Sequence, residues 1–162
     1  MAVLVVTSTK IQVSTSWTGT APGSPGTQTV SGTLNTGVDV SALFTGITVN
    51  LNGEQIEWTN FASGGWKAML VGLKEATLDI APLNSDFAAS QTDAYFGLGG
   101  TYGFGTTFYV DLMPTSSARS ATNPSTVMQV INLGYGNVYS VGQLGTAPIT
   151  LKPTGLPGRL TS

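Results

Sequence analysis

The side chains of this chain best suited to acid–base chemistry are its eight carboxylates, because it has no histidine and no cysteine. Losing histidine removes the commonest general base and metal ligand. Losing cysteine removes thiol catalysis, disulfides and thiolate metal sites. Glycoside hydrolysis would need two carboxylates facing each other across a cleft. Glu54 and Glu57 fall on opposite faces of a regular strand and do not make such a pair. Asp79 and Asp111 can meet across strands, but nothing in their surroundings singles them out. Solvated acids are the simpler reading, and no enzymatic activity, cofactor or metal is expected.

Two further patterns touch on ligand chemistry. Gly97-Leu-Gly-Gly-Thr-Tyr-Gly-Phe-Gly is rich enough in glycine for a phosphate loop. It follows a helical pattern instead of opening one and has no Lys-Ser/Thr after it, so a mobile turn is expected. Trp17, Trp58, Trp66, Tyr102, Tyr109, Tyr135 and Tyr139 are enough aromatics for a sugar-stacking platform. On amphipathic strands, however, such rings usually serve a core or a subunit interface.

The elements that must carry these residues are strands. Ile47, Val49 and Leu51 alternate with Thr48, Asn50 and Asn52, then Asn52-Gly53 follows, a strong two-residue hairpin signal. This predicts 46–52 paired with 54–60, where Glu54, Ile56 and Trp58 alternate with Gln55, Glu57 and Thr59. Strands around Trp66 and from Leu73 to Ile80 extend the sheet. Ile11 and Val13 mark a short strand, Thr106–Leu112 and Val127–Tyr135 two longer ones. A turn at 134–137 and a last hairpin of 138–141 with 147–151 complete the sheet.

Asn84 or Ser85 can cap a helix near 85–96 that packs on the sheet, with Phe87, Ala88, Ala94, Tyr95 and Leu98 roughly on one face and Gly97, Gly99 and Gly100 ending it. Residues 14–36 are Gly, Ser, Thr and Pro rich and read as an extended loop or arm, 115–125 as a second loop, and 153–162 as an irregular tail. Ala2–Val6 is too short for a secretory core and reads as an edge strand or arm. No run approaches a membrane span. The expected architecture is one domain over 1–162, mainly β, an antiparallel sandwich or barrel with one flanking helix.

Composition bounds the partners. Charged residues are only 9% of the 162, mean hydropathy is +0.18 and the formal net charge is −2. A monomer with so few charges has a poorly hydrated surface, which points to burial in an assembly. Six scattered basic residues cannot neutralise a DNA backbone carrying about one charge per 1.7 Å.

Glu57, Thr59 and Phe61, the Gly64-Gly65-Trp66 turn, and then Gly72, Leu73, Ala76, Thr77 and Leu78 form a recognisable succession. It resembles the signature of the major tail, or tail-tube, proteins of long non-contractile-tailed bacteriophages. The resemblance covers 39–80 well, the remaining β layout loosely and the first 35 residues little. It implies a β-sandwich or barrel with one helix, in subunits that close into hexameric rings. The rings stack into a tube that conducts DNA without binding it specifically, in contact with tape-measure and terminator proteins. It places the protein in the virion tail, assembled in the host cytoplasm. Glu54, Glu57 and Asp79 are then candidates for the lumen, and Trp17, Pro22, Pro25 and Arg119, on the 14–36 and 115–125 loops, for contacts between rings. A capsid decoration protein, a tail terminator and a carbohydrate-binding adhesin module are the alternative readings.

Overall fold

The computed structural model describes residues 9–22, 30–58, 68–82, 92–136, 138, 141 and 147–161, with backbone only at 58, 68–73 and 81–82. Ten strands follow in order: β1 (Lys10–Ser14), β2 (Trp17–Thr18), β3 (Thr33–Leu34), β4 (Val38–Asp39), β5 (Phe44–Trp58), β6 (Ala68–Pro82), β7 (Thr107–Met113), β8 (Ser125–Tyr135), β9 (Ile149–Pro153) and β10 (Gly158–Leu160). A 3-10 turn, Ser41–Leu43, precedes β5, and one short helix, α1 (Thr92–Phe96), precedes β7. The main sheet has the order β4-β1-β7-β8-β9-β6-β5 with β10 beside β8, and β2–β3 form a separate ribbon. Its pairings are antiparallel. The fold is therefore mainly β with a lone short helix among the described residues, of sandwich or barrel type.

Chain length forces this sheet to curl. Strands sit about 4.8 Å apart, so the two margins of a flat sheet in this order would lie about 29 Å from each other. Yet β4 on one margin and β5 on the other are joined by Val40–Leu43 alone. Five residue steps reach at most about 18 Å. Hydrogen bonds hold the link against β1: Val40 N donates to Ile11 O at 2.9 Å and Ile11 N to Ser41 Oγ at 2.8 Å. A gap of about 360 Å³ between Thr9 and Ile11 on one side and Phe44–Ile47 on the other marks where the margins approach.

The core lies inside the curl. Ile11 and Val13, Phe108, Val110 and Leu112, Met128 and Val130, and Ile149 and Leu151 alternate inward along four neighbouring strands, and Leu78 joins them from β6. Helix α1 closes one end by inserting Phe96, whose ring lies 5.7, 5.8 and 6.0 Å from those of Phe44, Tyr102 and Phe108. Buried Asn132 fixes the helix to the sheet by donating to Phe96 O (3.3 Å) and Tyr102 O (2.9 Å). The glycine-rich segment after α1 is a turn, as expected, hydrogen-bonded back to the helix by Gly97 N donating to Asp93 O and Tyr102 N to Tyr95 O, both at 2.8 Å. A Cβ at Gly100 would stand 2.6 Å from Tyr95 O, and Gly99 adopts φ +83°, a conformation that side chains disfavour.

Several boundaries differ from the sequence reading. Asn52-Gly53 is not a turn: β5 runs straight through it, and neither residue has the positive φ that such a turn requires. Folding at 52–53 would have paired only 46–52 with 54–60. Instead β5 pairs with β6 along its whole length, from Phe44↔Pro82 to Trp58↔Ala68. Gly72 breaks no strand either; Glu54 faces the register shift at Gly72 and Leu73, a bulge within β6.

Strand β8 runs to Tyr135, into the expected 134–137 turn, and pairs there with β9, Tyr135 opposite Ile149; of the expected hairpin of 138–141 with 147–151, residues 139–140 and the link 142–146 lie outside the described residues. The tail beyond 153 is not wholly irregular, since β10 pairs with β8, Gly158 opposite Val127. Glycine is required there because a Cβ would meet Val30 Cγ2 at 2.1 Å. Of the helix expected at 85–96, the described part is Thr92–Phe96, and 85–91 lie outside the described residues, as do Ala2–Val6 and the Trp66 turn.

Candidate functional site

The β5–β6 hairpin is where the fold leaves surface unfinished. Strand β9 pairs with β6 only at Leu78↔Leu151 and Asp79↔Thr150. Toward the tip β6 has no further partner among the described strands, and β5 has none on its outer edge. Side chains alternate between the two faces of a strand, yet every residue from Asn50 to Glu57 is exposed, as are Lys74 and Glu75 across the hairpin. Both faces of the β5 strand are thus in solvent over this half. Leu51 is 61% exposed and Ile56 47%. An isolated two-stranded hairpin is marginal in water, and an open apolar edge is a template for another strand.

At the root of this hairpin lies a cleft of about 770 Å³, walled by Leu51, Ala76 and Lys74 on one side and Pro153 and Leu156 on the other. It opens because β9 and β10 share one edge of β8, but residues 154–157 bulge between them. Pro153 pairs with Val130 and Gly158 with Val127, so four residues stand against two. Thr154 pins the bulge, its N donating to Gln129 O at 2.9 Å and its Oγ1 to Gln129 Oε1 at 2.8 Å. At the rim Lys152 Nζ meets Glu75 Oε1 at 2.7 Å. The lysine, by hydrogen bond first and charge second, holds the Glu75 carboxyl below the usual carboxylate range.

All three acids expected at a lumen lie on this hairpin, but they do not converge. Glu54 and Glu57 are exposed in its outer half. Asp79 sits opposite Thr48 and accepts from Asn50 Nδ2 at 3.0 Å. Six residues separate the Glu54 and Thr48 positions, about 20 Å of strand. Asp79 and Asp111 do not meet, because β9 and β8 stand between β6 and β7. Asp111 is fully buried in an ion pair with Arg119. No described pair of carboxylates frames a reaction, and the described residues contain no cluster of three or more metal-binding side chains.

The residues expected to touch a neighbouring ring are largely engaged within the chain. Trp17 starts the β2–β3 ribbon, donates from Nε1 to Ser31 O at 3.0 Å and packs its ring 5.8 Å from that of Tyr109. Pro22 is buried, Arg119 is committed to Asp111, and Pro25 lies outside the described residues. The described aromatics form no stacking platform: Tyr102 is buried in the core, its hydroxyl donating to Val13 O, and Tyr135 donates to Asp93 Oδ1 at 2.7 Å.

Sequence reasoning missed the cleft, whose only signal is Pro153 and Pro157 bracketing the bulge. Leu98, expected on the packed face of the helix, is instead 92% exposed on the glycine turn that follows α1, where Phe104, which sequence reasoning missed, is 64% exposed. That turn lies beyond the Asn132 end of the sheet, whereas the hairpin tip points the other way. No helix among the described residues is long and apolar enough to cross a membrane. No known family model matches this chain, and no curated protein matches it.

Proposed function

We propose that this chain is a structural virion protein: a tail-tube subunit of the phage class that its β5–β6 residues resemble. Its copies join through their hairpins into hexameric rings, which stack into a conduit for DNA. The observation that carries this reading is a hairpin of two fifteen-residue strands whose outer half, among the described residues, has neither margin paired and exposes every β5 side chain from Asn50 to Glu57.

Such a hairpin is one repeat of a cyclic sheet. The β5 edge of one copy fits against the free part of the β6 edge of the next, the strands alternate in direction, and the last copy meets the first. A head-to-tail contact of this kind closes into a ring when the rotation permits, and closure removes every open edge. The cleft at the hairpin root gives the neighbouring strand apolar walls. The low charge content suits a subunit whose surface is mostly covered, and the exposed acids of the hairpin suit a wall that DNA slides past. Leu98 and Phe104, at the other end of the strands, provide the contact for the next ring. Tape-measure and terminator proteins are the expected partners, the virion tail the site of residence and the host cytoplasm the place of assembly.

Negative-stain microscopy of concentrated protein tests the reading. Stacked rings of uniform bore are expected. Trimers would mark a capsid decoration protein, single unstacked rings a terminator, and a persistent monomer that binds glycans an adhesin module; each of these would overturn the proposal.

A further inference from the structure

Five buried side-chain atoms among the described residues have no hydrogen-bond partner in the protein, and four of them lie on one short stretch: Asp111 Oδ1, Arg119 Nε, Asn123 Oδ1 and Ser125 Oγ. Their concentration is unusual, because buried polar atoms are almost always paired. The ladder puts two of them, on Asp111 and Ser125, side by side, and an ion pair brings Arg119 to the same place. Asp111 stands opposite Val127 and Leu112 opposite Thr126, so Ser125 lies diagonally from Asp111 on the same sheet face. This is the face turned away from the core. The segment between β7 and β8 folds back over it, bringing the Arg119 guanidinium onto Asp111 Oδ2. Asn123 tightens that segment, its Nδ2 donating to Ser117 O at 3.0 Å and Ala118 O at 3.2 Å, while its N donates to Ser120 Oγ at 3.0 Å. With the amide nitrogen so engaged, Asn123 Oδ1 is left for another partner.

The four atoms are two obligate acceptors (Asp111 Oδ1 and Asn123 Oδ1), one obligate donor (Arg119 Nε–H) and one hydroxyl that does either. A metal ion would satisfy the oxygens but would face the guanidinium. An anion would satisfy the guanidinium but would face a carboxylate. The Asp111–Arg119 pair sums to zero charge, so a neutral molecule that both donates and accepts fits the set. We propose that this patch is an internal hydration site. One water, or a linked pair, accepts from Arg119 Nε–H, donates to Asp111 Oδ1 and Asn123 Oδ1 and bonds Ser125 Oγ, joining the 114–124 segment to the sheet. The segment expected to reach a neighbouring ring is, on this account, a cover for its own sheet.

A crystal structure or reconstruction of the wild-type protein that resolves ordered solvent tests this, with a thermal melt in calcium or chelator alongside. The expected result is a solvent peak within about 2.7–3.2 Å of at least three of the four atoms, and a melting temperature indifferent to calcium and chelator. Direct bonds among the four atoms with no solvent peak would overturn the proposal. So would a peak with oxygen ligands at about 2.3–2.6 Å together with a calcium-dependent melt, which would identify a cation.

Discussion

Replacing Leu51 and Ile56 together by serine isolates the assembly step from folding. Both side chains are already largely in solvent, 61% and 47% exposed, so their loss removes little from the core. Burying a whole leucine or isoleucine side chain contributes about 2 kcal/mol. Covering the exposed fractions at a seam with a neighbour then contributes about 1.2 and 0.9 kcal/mol, together about 2 kcal/mol per contact. A tenfold change in an equilibrium constant corresponds to about 1.4 kcal/mol, so each contact weakens about 30-fold. Pelleting at graded protein concentrations reads this as a rise in the critical concentration for assembly of the same order. The melting temperature of the dissociated subunit should hardly move. An unchanged critical concentration would refute the hairpin seam, and a melt lowered by many degrees would show that these residues belong to the subunit's own core.

Four further outcomes follow from the packing. Phe96→Ala removes the ring that closes one end of the core and should cost about 3–5 kcal/mol in a denaturant titration; a loss below about 1 kcal/mol would mean that α1 is not a plug. Arg119→Ala strands the fully buried Asp111 carboxylate and should cost about 3–5 kcal/mol, with Asp111→Asn on the same chain restoring most of it; failure to restore would place the effect in packing and not in charge. Burial pushes the Tyr102 phenol above its ordinary value, so its neutral form belongs to the folded state. That contribution is complete below the unfolded pKa of about 10 and is lost as pH rises through the folded value, so Tyr102→Phe should flatten the alkaline fall in melting temperature; an unchanged slope would clear Tyr102 of the effect. Glu57→Lys should leave tube formation intact and slow DNA ejection, and unchanged ejection kinetics would argue against a lumen position.

The alternation of apolar residues made β7 and β8 legible, and with them the inward faces that build the core, because a period of two survives whatever the neighbouring strand is. Pairing was less legible. Asn52-Gly53 carries the strongest local turn signal in the chain, yet β5 passes through it, since a ladder running to Trp58 outweighs the turn preference of two residues. Local chemistry states what a dipeptide permits, and the partner strand decides. The tail beyond Pro153 was misread for a similar reason: prolines and glycines suggest irregularity, but they serve a bulge and a close contact that let β10 return to β8. Asp111 was visible only as a carboxylate. Its burial depends on Arg119 folding back from the next segment, and no spacing in the sequence announces that. The three hairpin acids were each read on a strand, Glu54 and Glu57 in 54–60 and Asp79 in the run ending at Ile80, but that these belong to two single long strands paired with each other was not legible.

The tether between Asp39 and Phe44 has a mechanical consequence. Girth in a curled sheet is ordinarily set by strand tilt and stagger, both of which can slip. Here a covalent strap a few residues long limits how far the two sides can part, so force applied along the projecting arm would meet backbone bonds before it could unroll the body.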